Sequence, residues 1–229
     1  MNVLLTNDDG IAAPGLLALE NAVKQLGWNF SVVAPSVEQS QCGHRVTTHQ
    51  HLRVDSLGEN RHAVHGTPAD CVRLALFALD VRPDLVLSGV NAGGNMGQDI
   101  VISGTVAAAR EAAYHGIRSM ALSHYLIREL AVDWKRTTAW VAKILQEIHP
   151  QDHTDGTFWN INLPHLPSSH AALPPRITCK PARSPLPVAY RKDEQGYAYS
   201  ASYASRPRDP GSDVEACFGE NVAVSLLHV

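Results

Sequence analysis

Two adjacent carboxylates, Asp8 and Asp9, are the first residues in the chain whose types and spacing could do chemistry. They follow a short apolar run, residues 3–6, which predicts a buried strand, and Gly10 marks a turn after them. Two like charges held close together repel each other, and a divalent cation between them removes that conflict. Hard oxygen ligands suit Mg²⁺ or Mn²⁺ better than Zn²⁺. The alternative is a solvated turn, because Asn, Asp and Gly all favour turns.

A glycine-rich segment, residues 89–97, follows another apolar run and could bind an anion. Glycines let backbone amides approach a phosphate closely, and Asn91 and Asn95 add side-chain oxygen or amide groups. The segment is not a P-loop, and the chain has no GxGxxG dinucleotide fingerprint, so nicotinamide and flavin cofactors are not expected. The alternative is a plain flexible loop.

Two further segments carry polar residues of interest. Ser103, Gly104 and Thr105 lie at a predicted helix start, where free N–H groups and the helix dipole attract phosphate. On its own, a Ser or Thr there more often only caps the helix. A polar loop, residues 36–50, carries Ser40 and His44. Loops of this length tend to be functional in compact domains, although a lone loop histidine is usually just solvated.

The elements that must position these residues alternate between strand and helix from residue 1 to about residue 163. This pattern predicts an α/β fold with a doubly wound, mostly parallel Rossmann-like sheet. Ligands of such sheets bind outside the carboxyl ends of the strands, where the acid pair, the loop and the glycine-rich segment would meet. The predicted strands cover residues 3–6, 30–34, 84–88, 117–123 and 157–163, with a small hairpin of 52–55 and 63–65. The predicted helices cover residues 16–26, 67–79, 103–116 and 132–148.

The chain changes character after residue 163. Residues 164–187 hold seven of the fourteen prolines, so a parallel sheet is not expected to continue there. Residues 190–203 alternate with aromatics and predict a projecting β-hairpin, and residues 221–229 predict a final strand. Because 229 residues are short for two full domains, we expect a catalytic core of residues 1–163 and a Pro-rich extension, residues 164–229, within the same domain.

Composition excludes several classes of protein. A formal net charge of −3 argues against a nucleic-acid-binding or anionic-membrane surface, so any phosphate must be bound by a metal or by backbone amides. No stretch approaches the ~18 uncharged apolar residues of a membrane span. Four cysteines lie far apart without a CxxC pair, and the chain opens on a strand rather than a basic signal region. These features predict a cytoplasmic protein.

Five stretches taken in order resemble the stationary-phase survival protein (SurE) family of metal-dependent 5′-nucleotidases. The stretches are residues 6–10, 33–35 with Ser40 downstream, 66–72, 88–95 and 103–109, and residues 160–164 match as well. The resemblance implies a phosphomonoesterase that hydrolyses nucleoside 5′-monophosphates. A broader acid phosphatase or exopolyphosphatase with the same metal site is the alternative.

The resemblance also implies the site residues and the partners. One divalent metal ion per subunit, Mg²⁺ or Mn²⁺, would be held by Asp8, Asp9, Ser40 and Asn91, and Asp8 or Asp9 would orient the attacking water. Phosphate would be bound by Asn95, Ser103, Gly104 and Thr105. A homodimer or homotetramer is expected through residues 165–229, where the chain departs from the family pattern by lacking its final helix.

A signalling receiver domain is a hypothesis from a different class, because it also carries an acid pair after its first strand. Such a domain needs a phosphoacceptor Asp at the end of a later central strand and a Lys near the last one. Here that strand ends in Ser88 and Gly89, and no lysine occurs between Lys24 and Lys135. The receiver hypothesis is therefore rejected.

Overall fold

The fold is built on one nine-stranded sheet and a separate two-stranded hairpin, described for residues 1–148 and 155–229 of a computed structural model. The strands are β1 (Asn2–Thr6), β2 (Asn29–Pro35), β3 (Val54–Gly58), β4 (Arg61–Val64), β5 (Leu85–Ala92), β6 (Ser119–His124), β7 (Thr157–Leu163), β8 (Arg176–Thr178), β9 (Tyr190–Asp193), β10 (Gly196–Tyr199) and β11 (Val222–His228). The helices are α1 (Pro14–Gln25), α2 (Pro68–Phe77), α3 (Asp99–Ile102), α4 (Gly104–Tyr114), α5 (Trp134–Glu147) and α6 (Asp213–Phe218), with a 3₁₀ turn at Tyr203–Ser205.

Strand order in the sheet is β3-β4-β2-β1-β5-β6-β7-β11-β8. The six strands from β4 to β7 pair in parallel, whereas β3 and β11 run antiparallel to their neighbours β4 and β7. The predicted doubly wound, mostly parallel sheet is therefore confirmed. The chain moves outward from β1 to β2 and then returns to the other side of β1 with β5. The topological switch point thus lies between β1 and β5, where ligands of such sheets bind.

Helices cover both faces of the sheet because successive side chains of each strand point to opposite sides. On one face, Leu5 and Leu87 pack in a core with α1 and α5. On the other face, Leu4 and Val86 pack in a core with α2 and α4. Strands buried on both faces explain the short, continuous apolar runs in the sequence. Among the helices of the two described ranges, none combines the length and the apolarity needed to cross a bilayer.

The helices α2, α4 and α5 each begin at a residue whose side chain caps the helix. Thr67 forms a capping box with Asp70 ahead of Pro68, so the predicted start of α2 is confirmed. The Ser103 side chain accepts a hydrogen bond from the Val106 N–H and caps α4. The Asp133 side chain caps α5 in the same way. Each cap satisfies an N–H group that the first helical turn leaves without a partner.

The structure differs from expectation in one strand after β7 and in two short helices. Strands β9 and β10 pair antiparallel, as the aromatic alternation predicts. The expectation that no parallel pairing continues among the prolines is wrong, because β8 pairs in parallel with β11 at the sheet edge. Three residues between prolines are enough for an edge strand, which needs bonding on one side only. The short helices α3 and α6 were not predicted, since four and six residues carry too little periodicity.

Candidate functional site

Asp8 follows β1 at the switch point and is buried, with 5% of its surface exposed. Its Oδ1 accepts a hydrogen bond of 2.5 Å from the Thr105 hydroxyl, and the Thr105 backbone N–H also bonds the carboxylate. Burial raises the pKa of Asp8 to about 6, and the nearby charge of Asp9 contributes in the same direction. A carboxylate whose charged form is disfavoured to this extent is a good recipient for a cation.

Asp9 links the end of β1 to the end of β5. Its Oδ2 accepts a hydrogen bond of 3.0 Å from the N–H of Ala92, the residue after Asn91. Burial raises the pKa of Asp9 above its ordinary value, and the charge of Glu38 adds to that effect. The acid pair and Asn91 therefore lie at one place on the rim of the sheet.

The loop that carries Ser40 closes over the acid pair. The Gln39 N–H donates to the Asp8 carbonyl at 2.7 Å, and a Cβ on Gly10 would lie 3.3 Å from the Val37 carbonyl carbon. The Ser40 hydroxyl donates to Glu38 at 2.5 Å. Ser40 therefore comes from the loop segment that touches Asp8, on the side where Glu38 faces Asp9.

Two carboxylates anchor the rest of this loop on α2 and α4. Glu111 is buried and lies 2.6 Å from His44 Nε2 and 2.5 Å from Arg73 Nε. Although burial would raise the pKa of Glu111, the hydrogen bonds from His44 and Arg73 lower it to about 2. Asp70 accepts bonds of 2.8 Å from the N–H and the hydroxyl of Thr47. His44 is thus a structural anchor of the loop rather than a solvated residue.

The first four residues of the glycine-rich segment belong to β5, and hydrogen bonds hold the rest, so it is not a plain flexible loop. The Asn91 Nδ2 donates to the Gly93 carbonyl at 2.8 Å, and Asn95 is buried, with its Nδ2 2.8 Å from the Ser123 hydroxyl oxygen. Gly93 has φ +157, in the region that favours glycine. Hydrogen bonds therefore fix the side chain of Asn91 at the carboxyl end of β5 and that of Asn95 three residues beyond that end.

Side chains from the C-terminal part of the chain clamp the end of this segment. The Asp213 carboxylate accepts a bond of 2.8 Å from the Gly97 N–H. The buried Arg206 guanidinium donates to the Asp99 carboxylate at 2.7 Å and to the Met96 carbonyl at 2.9 Å. Residues far along the chain thus hold the loop between β5 and α3 in place.

The start of α4 lies against the acid pair. A Cβ on Gly104 would lie 2.9 Å from the Asp8 Cβ and 2.9 Å from the Cys42 Sγ, so only glycine fits there. The Thr105 hydroxyl is engaged with Asp8, and the Ser103 hydroxyl accepts the capping bond of α4. The N-terminus of an eleven-residue helix is therefore directed at the site, where it favours negative charge.

The donor set fits a divalent cation. Asp8 and Asp9 supply two negative charges that balance a 2+ ion, and Ser40 and Asn91 add neutral oxygens of the kind that Mg²⁺ and Mn²⁺ prefer. Within residues 1–148 and 155–229, no three His, Cys, Asp or Glu side chains are grouped to hold a metal. A cation here would accordingly depend on the hydroxyl and amide oxygens as well as on the carboxylates.

Several residues of this region are absent from the site predicted from the sequence. Glu38 faces Asp9, and Arg206 and Asp213 reach the glycine-rich segment from more than 100 residues away. Asn160 and Asn162 also contact that segment, and two polar residues at alternate positions of a buried strand are a signal that points to them. Glu38 and the distant clamp have no comparable signal in the sequence.

The chain is similar in sequence and in structure to proteins of one family. The family model described as Survival protein SurE matches residues 3–182. A putative 5′-nucleotidase of Nostoc sp. is 46% identical over the full length of both chains. A 5′-nucleotidase SurE of Citrifermentans bemidjiense is 40% identical over all of this chain and 93% of its own. The crystal structure of the Sure protein from Aquifex aeolicus has a TM-score of 0.85 at 32% identity, covering 100% of this chain and 93% of that one. The chain therefore belongs to the survival protein SurE family.

Proposed function

We propose that this protein is a divalent-metal-dependent 5′-nucleotidase that releases phosphate from nucleoside 5′-monophosphates. The observation that carries the proposal is the meeting of Asp8, Asp9 and the N-terminus of α4 at the switch point of the sheet. Relatives that align over the whole chain are named 5′-nucleotidases, which supports the same reaction.

One Mg²⁺ or Mn²⁺ ion would be held by Asp8, Asp9, Ser40 and Asn91. When bound, such an ion polarises the phosphoryl group and lowers the pKa of a bound water. Without a metal, burial disfavours the charged form of both carboxylates and raises the pKa of each. Either Asp8 or Asp9 would orient the attacking water.

Phosphate oxygens would be bound by Asn95 and by Ser103, Gly104 and Thr105 at the start of α4. The helix N-terminus favours an anion. The hydrogen bonds from Thr105 to Asp8 hold the start of α4 next to the acid pair. The metal ion and the helix N-terminus would together let an acidic protein bind an anion without a basic surface.

The cellular setting is proposed on separate grounds. Four unpaired cysteines favour a reducing compartment, and we place the protein in the cytoplasm. The hairpin of β9 and β10 exposes Tyr190, Tyr197 and Tyr199, which suits burial against a second subunit in a homodimer or homotetramer. Light scattering of the purified protein tests the assembly, and a monomer at assay concentration contradicts it.

The activity is tested with purified protein and AMP, GMP, CMP and UMP, with Mn²⁺ or Mg²⁺ and with chelator. We expect phosphate release that depends on the metal and falls by at least ~10²-fold in Asp9→Asn. Asp80→Asn, which removes an exposed carboxylate, serves as the matched control and should be fully active. No release from any 5′-monophosphate with metal present would overturn the proposal, and preferential release from tripolyphosphate or p-nitrophenyl phosphate would favour the broader phosphatase.

A further inference from the structure

Asn95 is held through both its backbone and its side chain by residues of two neighbouring strands. Its N–H donates to Asn162 Oδ1 at 2.8 Å. Its carbonyl accepts from Asn160 Nδ2 at 2.8 Å and from Asn162 Nδ2 at 3.1 Å. Its side-chain Nδ2 donates to the Ser123 hydroxyl at 2.8 Å. A loop residue therefore has its backbone and its amide direction fixed by the sheet.

The two asparagines of β7 are costly residues to place there. Both are fully buried in a strand that the sheet encloses, and burying an amide without hydrogen bonds is unfavourable. The hydrogen bonds that the structure gives the side-chain atoms of Asn160 and Asn162 all go to the backbone of Asn95. Three of their four polar side-chain atoms thus bond Asn95, while Asn160 Oδ1 has no partner among the described residues.

Ser123 completes the arrangement from β6. It is fully buried, and in the ladders of the sheet it lies opposite Asn91 on one side and opposite Asn162 on the other. A side-chain amide carries two N–H donors, and the Ser123 oxygen takes one from Asn95. The second donor of Asn95 is then held in a fixed direction.

We propose that Ser123 is a positioning residue that orients the side-chain amide of Asn95 towards the phosphoryl group, on a backbone that Asn160 and Asn162 lock. The inference rests on the proposed function, because it names how one of its phosphate-binding residues is aimed. Ser123 acts through Asn95 alone, so its removal has an effect only while the Asn95 amide is present.

A double-mutant cycle of Ser123→Ala and Asn95→Ala tests this dependence. In the otherwise unchanged protein, Ser123→Ala should lower kcat/KM for AMP about tenfold and weaken inhibition by inorganic phosphate about as much. In the Asn95→Ala background the same change should alter neither value by more than about twofold. The affinity for Mn²⁺, followed by thermal shift, should stay unchanged in all three variants.

Ser119→Ala is the matched control. Ser119 lies on the same strand, is equally buried and also loses one hydrogen bond, which it donates to the Ala109 carbonyl at 2.7 Å. It should lower stability without changing the kinetic constants. If Ser123→Ala does not fold, Ser123→Cys takes its place in the cycle, because a thiol fills the site, being somewhat larger than a hydroxyl, and is a weaker acceptor.

Three results would overturn the inference: unchanged kinetics in Ser123→Ala, an equal loss in both backgrounds, or an Asn95→Ala protein that binds phosphate as the parent does. These differ from failure of the proposed function, in which the unmutated protein with Mn²⁺ releases no phosphate from AMP. In that case titration with inorganic phosphate still measures the coupling of Ser123 to Asn95, and a coupling of less than twofold rejects it.

Discussion

Replacing Asp8 with asparagine should make the metal-free protein more stable. The change keeps the shape of the side chain and keeps an oxygen that can accept the bond from the Thr105 hydroxyl. It removes a charge whose burial raises the pKa of Asp8 from 3.8 to about 6. A raised carboxyl pKa means that the folded state holds the proton more tightly than the unfolded state, so folding becomes less favourable as the pH rises through this range.

The size of the effect follows from that shift. At pH 8, where Asp8 is ionised in both states, the penalty is about 3 kcal/mol, and at pH 5 it is about half as large. Asparagine loses about 1 kcal/mol, because its amide nitrogen cannot accept the Thr105 N–H bond. We therefore expect Asp8→Asn to gain about 2 kcal/mol in chelator at pH 8 and less than 1 kcal/mol at pH 5.

Urea unfolding with chelator measures the stability gained by Asp8→Asn, and urea unfolding with Mn²⁺ measures the stabilisation by the metal. Mn²⁺ at 100 times its Kd should stabilise the parent protein by about 2.7 kcal/mol and leave Asp8→Asn unchanged, so the order of stabilities reverses. Asp80→Asn is the control, because Asp80 is exposed and its φ of +53 is one that asparagine tolerates. It should follow the parent protein under both conditions.

Two outcomes would refute this reasoning. If Asp8→Asn is less stable than the parent at pH 8 in chelator, the buried carboxylate does not carry the penalty that its surroundings indicate. If Mn²⁺ stabilises both proteins equally, Asp8 is not a ligand of the metal.

Two further predictions concern neighbouring positions. Gly104→Ala would place a Cβ 2.9 Å from the Asp8 Cβ, so we expect it to displace Asp8. It should lower kcat/KM at least ~10-fold and lower stability by about 1–3 kcal/mol. Kinetic constants equal to those of the parent protein would contradict this prediction. His124 is fully buried, and burial lowers its pKa from 6.5 to about 4. As the pH falls, the unfolded state therefore takes up a proton before the folded state does. The free energy of unfolding should decrease by about 3 kcal/mol between pH 7 and pH 4. His124→Leu should remove that part of the pH dependence in urea unfolding, and an unchanged slope would show that other groups cause it.

The pattern of the core strands and helices follows from local sequence, because apolar runs and capping residues act over a few neighbours. The Thr67 capping box and the strand of residues 157–163 are examples that the structure confirms. The meeting of Asp8 with Gly104 is not local, and only the order of the strands brings them together. A parallel sheet predicts that the carboxyl ends converge, but it does not say which side chains touch.

Residues whose partners are distant in sequence are the ones that local patterns misjudge. His44 has no local sign of importance, since its partner Glu111 is 67 residues away. Strand β8 is hidden by flanking prolines, which forbid a central strand but not a short edge. The buried asparagines of β7 do stand out in an apolar run, although their target lies 65 and 67 residues earlier.

The clamp formed by Arg206 and Asp213 sets an order of events during biosynthesis. The Gly97 N–H pairs with a carboxylate 116 positions downstream, so the loop at Gly97 is held in full only after Asp213 has been translated. The parallel core can form earlier, because its strands up to β7 pair among themselves. A nascent chain is therefore expected to acquire the parallel sheet first and the clamp on this loop afterwards.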